Sequence, residues 1–446
     1  MSRDNVRKLQ RRLYRRLANT ALFLDTNEPR FTDFQRAYYN CYRELAIFKV
    51  LRGRGARDAA IRLGQRLLRR AIRFELVEIV VMVARELQLY AGTVRNDPKE
   101  AARYARLVTD YLEVLTAEIK AEHYYQDLVH RVRSRTARAE TIALAREYAA
   151  ELEALVQRFD SYKLYLYAYN LFLLRYELES DYEQMMEQAD RVVRHFQEKK
   201  HLTSNTAIFS FLFRMLVAQI QLGRYDEGRQ TAVRCLSLVA EGTPNWFYSM
   251  INYIILSLHK GDYAQACALL EEAASNKQLR YQDARIIEQF KLLEAMLHYL
   301  HKIGKLDKAP APAGMARKFR LSRFLNDVPV FSKDKRGTNV TILIIQILFL
   351  LEKREYEQVV DRLEALRVYA HRYLRKDETF RSNVFIKMLS VLPVARFHRT
   401  QAARRARPLL KRLEEVPLSR SMLGADIEVL PYEKLWEFVL DSLGTR

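Results

Sequence analysis

The sequence predicts an all-α protein, and three observations carry that prediction. Its 446 residues include only 13 Gly and 10 Pro, too few for the many tight turns an all-β chain of this length requires. Leu, Ala, Arg, Glu and Gln, all strong helix formers, dominate most windows. A short turn motif then recurs between apolar stretches of helical period. Hydrophobic residues make up 49% of the chain, so material for a core is ample. The length exceeds one ordinary compact core, however, so the chain is expected to divide or to grow in one dimension.

Residues 1–30 read as a basic amphipathic helix. Val6, Leu9, Leu13 and Leu17 recur on one face, while Arg3, Arg7, Lys8, Arg11, Arg12, Arg15 and Arg16 cover the rest. The simplest reading is a capping helix with a solvated polar face. A phosphate-binding arm, a membrane-surface helix and a targeting presequence are the alternatives. Asp4 and the smooth continuation into further helix count against the presequence.

Residues 31–305 read as successive helical hairpins. One helix start is marked by Asn96-Asp97-Pro98-Lys99-Glu100. Asp97 is placed to cap the free N–H groups, Pro98 suits the first turn, and Glu100 stands where a capping box would be completed. The recurring turn is a polar or Gly residue, one spacer, an aromatic, then a helix. It occurs as Ser180-Asp181-Tyr182, Gly223-Arg224-Tyr225 and Gly261-Asp262-Tyr263, with weaker copies at Gly304-Lys305-Leu306 and Arg354-Glu355-Tyr356. The third positions, a Tyr in every copy but the one with Leu306, are 43, 38, 43 and 50 residues apart. The first residue supplies the left-handed backbone that ends one helix, and the ring packs into the angle between the two. A single hairpin cannot bury its apolar face, so neighbours must stack.

Over residues 203–305 this pattern resembles the tetratricopeptide repeat family. Gly223 with Tyr225, and Gly261 with Tyr263, stand where that family has Gly and Tyr in its hairpin turn. Ala266, Ala273 and Ala274 match small positions of the second helix, and Gly228 and Cys235 fill equivalent sites one repeat earlier. Leu216 and Ile254 occupy a first-helix position that is normally small, and the period exceeds the usual 34 or so. The resemblance implies a divergent, right-handed α-solenoid of stacked hairpins. It also implies a test of function, because some tetratricopeptide domains grip a peptide's C-terminal carboxylate with Lys, Asn and Arg on successive first helices. Asn252 and Lys291 fall on two such positions, whereas Phe213, Val217 and Ala295 fall on the others.

Residues 306–340 break the repeat. A Pro- and Ala-rich stretch, Ala309 to Gly314, leads into Arg317, Lys318, Arg320 and Arg323, then Lys333, Lys335 and Arg336. Phe319, Leu321, Phe324, Leu325, Val328, Val330 and Phe331 are interleaved, so the segment is expected to dock on the helices rather than act as a spacer. Residues 341–446 return to helical repeats. Leu435, Trp436, Val439, Leu440 and Leu443 are expected to form the buried face of a C-terminal capping helix. A second basic cluster comprises Arg396, His398, Arg399, Arg404, Arg405, Arg407, Lys411 and Arg412.

Signals for catalysis are weak. The chain has no phosphate-binding Gly-rich loop, no nucleophile elbow and no zinc-protease helix. Glu294, His298 and His301 share a helical face, as do Glu122, His123, Asp127 and His130, but a metal would need further ligands from another helix. Tyr162, Tyr165, Tyr169, Phe172 and Tyr176 form an aromatic stripe that suits either inter-hairpin packing or a docking surface. No enzyme activity, metal or cofactor is therefore expected. Cys41, Cys235 and Cys267 lack metal-ligand spacing and cannot all pair, which fits a reducing, cytoplasmic compartment. The most apolar stretch, Ile342 to Leu351, falls far short of the roughly 20 residues of a membrane span.

Lys and Arg number 75 against 54 Asp and Glu, a formal charge of +21, so polyanions or acidic protein surfaces are the expected partners. The expected function is a cytoplasmic scaffold or adaptor that binds a protein or peptide, with Arg317, Lys318, Arg320, Arg323, Lys333, Lys335 and Arg336 selecting an acidic partner. The alternative is a nucleic-acid- or ribosome-associated protein that uses the same basic surface.

Overall fold

In a computed structural model the chain is described over residues 3–21, 25–28, 31–134, 138–199, 201–310, 320–326, 338–373, 380–416, 418 and 428–443. All regular structure among these residues is helical. The chain forms two compact units: Met1–Leu171 with Arg194–Ala207, and Phe172–Val193 with Ile208–Arg446.

The first unit begins with α1 (Arg3–Ala21), then α2 (Asp33–Gly53), α3 (Arg57–Arg73), α4 (Val77–Thr93), α5 (Pro98–Ser134) and α6 (Arg138–Arg158). Each helix from α2 to α6 packs on the next, and α2 also reaches α4. Contact between alternate helices is what stacked hairpins require to share a core. Phe48, Leu67, Ile79, Leu87 and Tyr104 are buried at its centre. Asp97 caps α5 as its sequence predicts, accepting from the Glu100 N–H at 2.9 Å. Glu100 does not complete the box. The Asp97 N–H is already bonded to the carbonyl of Ala91, and the Glu100 carboxylate instead takes Arg95 and the Tyr104 hydroxyl, each at 3.2 Å. A full capping box forms at α2, between Thr32 and Gln35.

Three helices contribute residues to both units: α7 (Tyr162–Glu179), α8 (Tyr182–Glu198) and α9 (Asn205–Gln221). The second unit continues with α10 (Tyr225–Leu238), α11 (Pro244–Lys260), α12 (Tyr263–Ser275) and α13 (Ala284–Lys302). After these come α14 (Leu321–Asn326), α15 (Thr338–Glu352), α16 (Tyr356–Tyr373), α17 (Phe380–Leu389), α18 (Val391–Val394), α19 (Arg399–Glu414) and α20 (Tyr432–Ser442). From α10 to α13 each helix packs on its successor, and α11 also touches α13. The chain of contacts continues from α13 to α15, α16 and α17, then from α17 to α19, and α20 lies against α15, α17 and α19. The buried face of α20 holds Leu435, Trp436 and Val439 as expected, with Leu440 packed at its edge and Leu443 buried just past its end; Phe438 joins them.

All five predicted turns adopt one geometry. Ser180, Gly223, Gly261, Gly304 and Arg354 have φ between 59° and 85°. In each, the N–H of this residue bonds the carbonyl three residues back, and the next N–H bonds the carbonyl five back, as in Gly261 to Leu258 and Asp262 to Ser257. This is the Schellman closure of a helix, and at four of the five the spacer is followed at once by the next helix. Gly55 and Glu75 form the same turn in the first unit. The rings pack as expected: Tyr182 is buried, while Tyr225, Tyr263 and Tyr356 lie against the core.

The small positions are of two kinds. A Cβ at Gly261 would meet nothing within 4 Å, whereas one at Gly228 would sit 2.3 Å from the Leu256 side chain on α11. Gly261→Ala therefore costs only backbone strain, about 1 kcal/mol. Gly228→Ala forces the buried Leu256 side chain, or α10 itself, to shift and is expected to cost about 1–3 kcal/mol. Urea denaturation midpoints of the two variants check that ranking.

Candidate functional site

Of the residues proposed from sequence, Arg317, Lys318, Lys333, Lys335 and Arg336 lie outside the described residues. Arg320 is exposed just before α14, and Arg323 lies on α14. The short helix is anchored as the interleaved apolar residues suggest. Leu321 and Phe324 pack against the core, Phe324 meets Phe349 edge-on at 6.3 Å, and the fully buried Gln346 donates its amide to the Phe324 carbonyl at 2.8 Å. Gln346, the one polar break in the apolar run from Ile342 to Leu351, thus adds a polar anchor for α14.

Asn252 and Lys291 stand on α11 and α13, which pack together. The Asn252 amide is engaged by the Tyr248 carbonyl one turn back, at 2.9 Å. Lys291 is exposed and sits between two buried acids of its own helix, Glu288 and Glu294. Burial pushes both carboxyls up, Glu294 to about 7, with Lys291 pulling the other way.

The second basic cluster is displayed on a rigid support. Ala402, Ala406 and Leu413 form the buried side of α19, and the two alanines, one turn apart, admit close packing. Arg404, Arg405, Arg407, Lys411 and Arg412 are exposed on the other side. Arg404, Arg407 and Lys411 form one row at helical spacing, Arg405 and Arg412 a second. Among the described residues no ion pair engages Arg404, Arg405, Arg407 or Lys411. Arg399 pairs with Asp441 at 3.0 Å, and Arg412 lies over the Phe380 ring.

What fixes α19 is a buried arginine on α17. Arg381 is 2% exposed. Its Nη1 donates to the carbonyls of Leu413, at 2.9 Å, and Val416, at 2.6 Å, at the C-terminal end of α19. Its Nε and Nη2 grip both oxygens of Glu428, at 2.6 and 3.1 Å, and Nη2 also reaches Glu433 at 2.8 Å. A cation at the negative end of a helix is favourable, and the carboxylates neutralise the buried charge. The His259 ring on α11 donates Nε2–H to the Glu428 carbonyl at 2.6 Å, which ties α11 to the same point.

A polar network that sequence reading missed occupies the first unit. Lys199 bonds Glu75 at 3.0 Å and Asp160 at 2.7 Å. The second oxygen of Glu75 accepts the Tyr162 N–H at 2.6 Å. Ser161 caps α7 and donates its hydroxyl to Glu118 at 2.5 Å. Lys163 bonds Glu122 at 3.0 Å. Two carboxylates thus face the positive N-terminal end of α7. Burial pushes the Glu118 carboxyl up to about 7, against the Ser161 hydrogen bond and the Lys163 charge. These residues span 124 positions and share no sequence motif, so only the fold brings them together.

The other constellations are absorbed by local structure. His301 Nδ1 meets the Leu306 carbonyl at 2.8 Å, and Asp127 takes Arg131 and the Tyr148 hydroxyl at 2.8 and 3.1 Å. Among the described residues no group of three His, Cys, Asp or Glu is arranged to hold a metal. In the aromatic stripe, Tyr165 stacks on His195 at 4.3 Å and Tyr162 meets Phe196 edge-on at 5.0 Å; Phe172 is buried. All three cysteines are free and buried, and burial raises the thiols to about 11, 12 and 11 for Cys41, Cys235 and Cys267, which leaves little thiolate at neutral pH. No described helix is long and apolar enough to cross a membrane.

Two measurements follow from the buried charges. Arg381→Met strands Glu428 and is expected to cost about 3–5 kcal/mol in unfolding free energy, with part of the loss recovered in Arg381→Met/Glu428→Gln. Glu118 holds its proton more tightly folded than unfolded, so its ionisation opposes folding increasingly as pH rises from the ordinary carboxyl range through about 7. Glu118→Gln is expected to remove up to about 3 kcal/mol of that penalty at pH 8 and to change little at pH 4. Thermal melting across that range checks the sign. No protein-family model matches this chain, and no curated protein matches it significantly.

Proposed function

We propose that this chain is a non-enzymatic cytoplasmic scaffold or adaptor, and that α19 takes hold of an acidic segment of a partner protein. In this reading the second unit is a right-handed, tetratricopeptide-like solenoid closed by α20. The common left-handed turn and the contacts between alternate helices support it.

The observation that carries the binding role is the exposed face of α19. It concentrates five cations on a helix whose end is fixed by Arg381. Such a surface offers charge-assisted hydrogen bonds to several carboxylates without first having to break internal ion pairs. The helix has no aromatic residue on which a base could stack, which favours an acidic polypeptide.

The nucleic-acid reading is supported by the formal charge of +21. It is separated from the first by salt dependence. Four phosphate contacts on duplex DNA would give a slope of about −3.6 in log affinity against log salt. Fluorescence anisotropy with a Glu-rich peptide and with an oligonucleotide distinguishes them. Arg404→Glu/Arg405→Glu/Arg407→Glu/Lys411→Glu is expected to weaken peptide binding at least about tenfold while leaving the melting temperature almost unchanged, because these side chains are exposed. Peptide affinity equal to that of the unaltered chain would remove α19 from the function.

A further inference from the structure

The helix α1 has no place in that reading, and it is built unlike the others. Every side chain from Asp4 to Ala18 is exposed. Its apolar residues are no exception: Val6 is 41% exposed, Leu9 50%, Leu13 58% and Leu17 58%. The capping helix expected from sequence would have buried these four. Instead they leave an apolar stripe facing solvent over three turns.

On a helical wheel Leu9, Leu13, Val6, Leu17 and Tyr14 span an arc of about 140°. Gln10 interrupts it, as does Thr20 in the last turn. Arg7 stands at one edge and Arg16 at the other. Arg11, Arg15, Lys8 and Arg12 fill the far side, against the single acid Asp4. Cations therefore line both margins of the stripe.

We propose that α1 lies flat on an anionic lipid surface, with the Leu and Val stripe among the acyl chains and the Arg and Lys side chains among the headgroups. Charge complementarity selects this occupant. A flat anionic sheet meets cations on both margins of the stripe together, and long basic side chains reach headgroups while their stems stay apolar. Tyr14, at the arc's edge, suits the boundary between the two phases. The helix is too polar to span the bilayer. The inner leaflet of a plasma membrane carries the required negative charge.

The test is co-sedimentation of the full chain with large vesicles of phosphatidylcholine, with and without about 30 mol% phosphatidylserine. Partitioning is expected to be at least about tenfold stronger on the anionic vesicles. Leu9→Ser/Leu13→Ser, which leaves the charge unchanged, is expected to lose at least about tenfold of it. Arg11→Glu/Arg12→Glu is expected to lose as much. The α19 charge-reversal variant is expected to bind vesicles like the unaltered chain, so this proposal and the α19 reading fail separately. Because α1 buries none of the four apolar residues, the variants should melt as the parent does.

Several results would overturn the proposal. One is no preference for anionic vesicles at low salt. Another is binding that ignores the Leu substitutions, since that is adsorption by charge alone. A third is a dimer in light scattering that dissolves in Leu9→Ser/Leu13→Ser, which would make a second copy the occupant. A protein groove as occupant would show as absent vesicle binding together with capture of an acidic peptide that the Leu substitutions abolish.

Discussion

A connection of two or three residues between successive helices leaves the backbone little choice. The last carbonyls of the first helix need donors, and the chain must reverse at once. A residue in the left-handed region supplies both, by turning its own N–H and the next one back onto the helix. Gly55, Glu75, Ser180, Gly223, Gly261 and Arg354 all do this and lead straight into the next helix. The packing of neighbours depends on it. Once the turn angle is set, the aromatic after the spacer falls between the two helices, and small residues such as Gly228 and Ala266 take the close crossing.

Left-handed backbone is easiest for Gly, yet Glu75 adopts it at φ 50°. Its side chain explains the exchange. The carboxylate accepts from the start of α7 and from Lys199, so a position of backbone strain also anchors a helix far along the chain. Buried charge is handled in two ways here. Arg381 is fully paired, by two carboxylates and two carbonyls. Glu118 has one close donor in Ser161, and its affinity for a proton rises instead. Both follow from the cost of an ion without partners in a medium of low polarity.

The helices and turns were legible because their signals are local. Gly223 and Gly261 announce the turn by composition, and Ser180 and Arg354 by register with the Tyr that follows. The caps were half legible. Asp97 is a local acceptor, but whether Glu100 folds back depends on Arg95 and Tyr104, which compete for it. The site was less legible still. Asn252 looked like a polar group free to bind, and only the helix shows its amide turned to Tyr248. Arg381 and Glu428 are 47 residues apart, and in the sequence each is one charge among many. Exposure was hardest to read: the stripe of α1 has the pattern of a buried face, and periodicity alone cannot say whether anything covers it.

The order in which these partners occur matters during synthesis. Arg381 and His259 leave the ribosome before Glu428, whose carboxylate and carbonyl they share. At roughly 5–20 residues per second, the 47 residues between Arg381 and Glu428 take a few seconds to make. For that interval Arg381 lacks both of the carboxylates that pair with it in the folded chain, so burying it between α17 and α19 is costly. Packing of α17 against α19 is therefore most favourable once both acids have been made. A charge that the finished core neutralises is, in a growing chain, a cost set against premature closure.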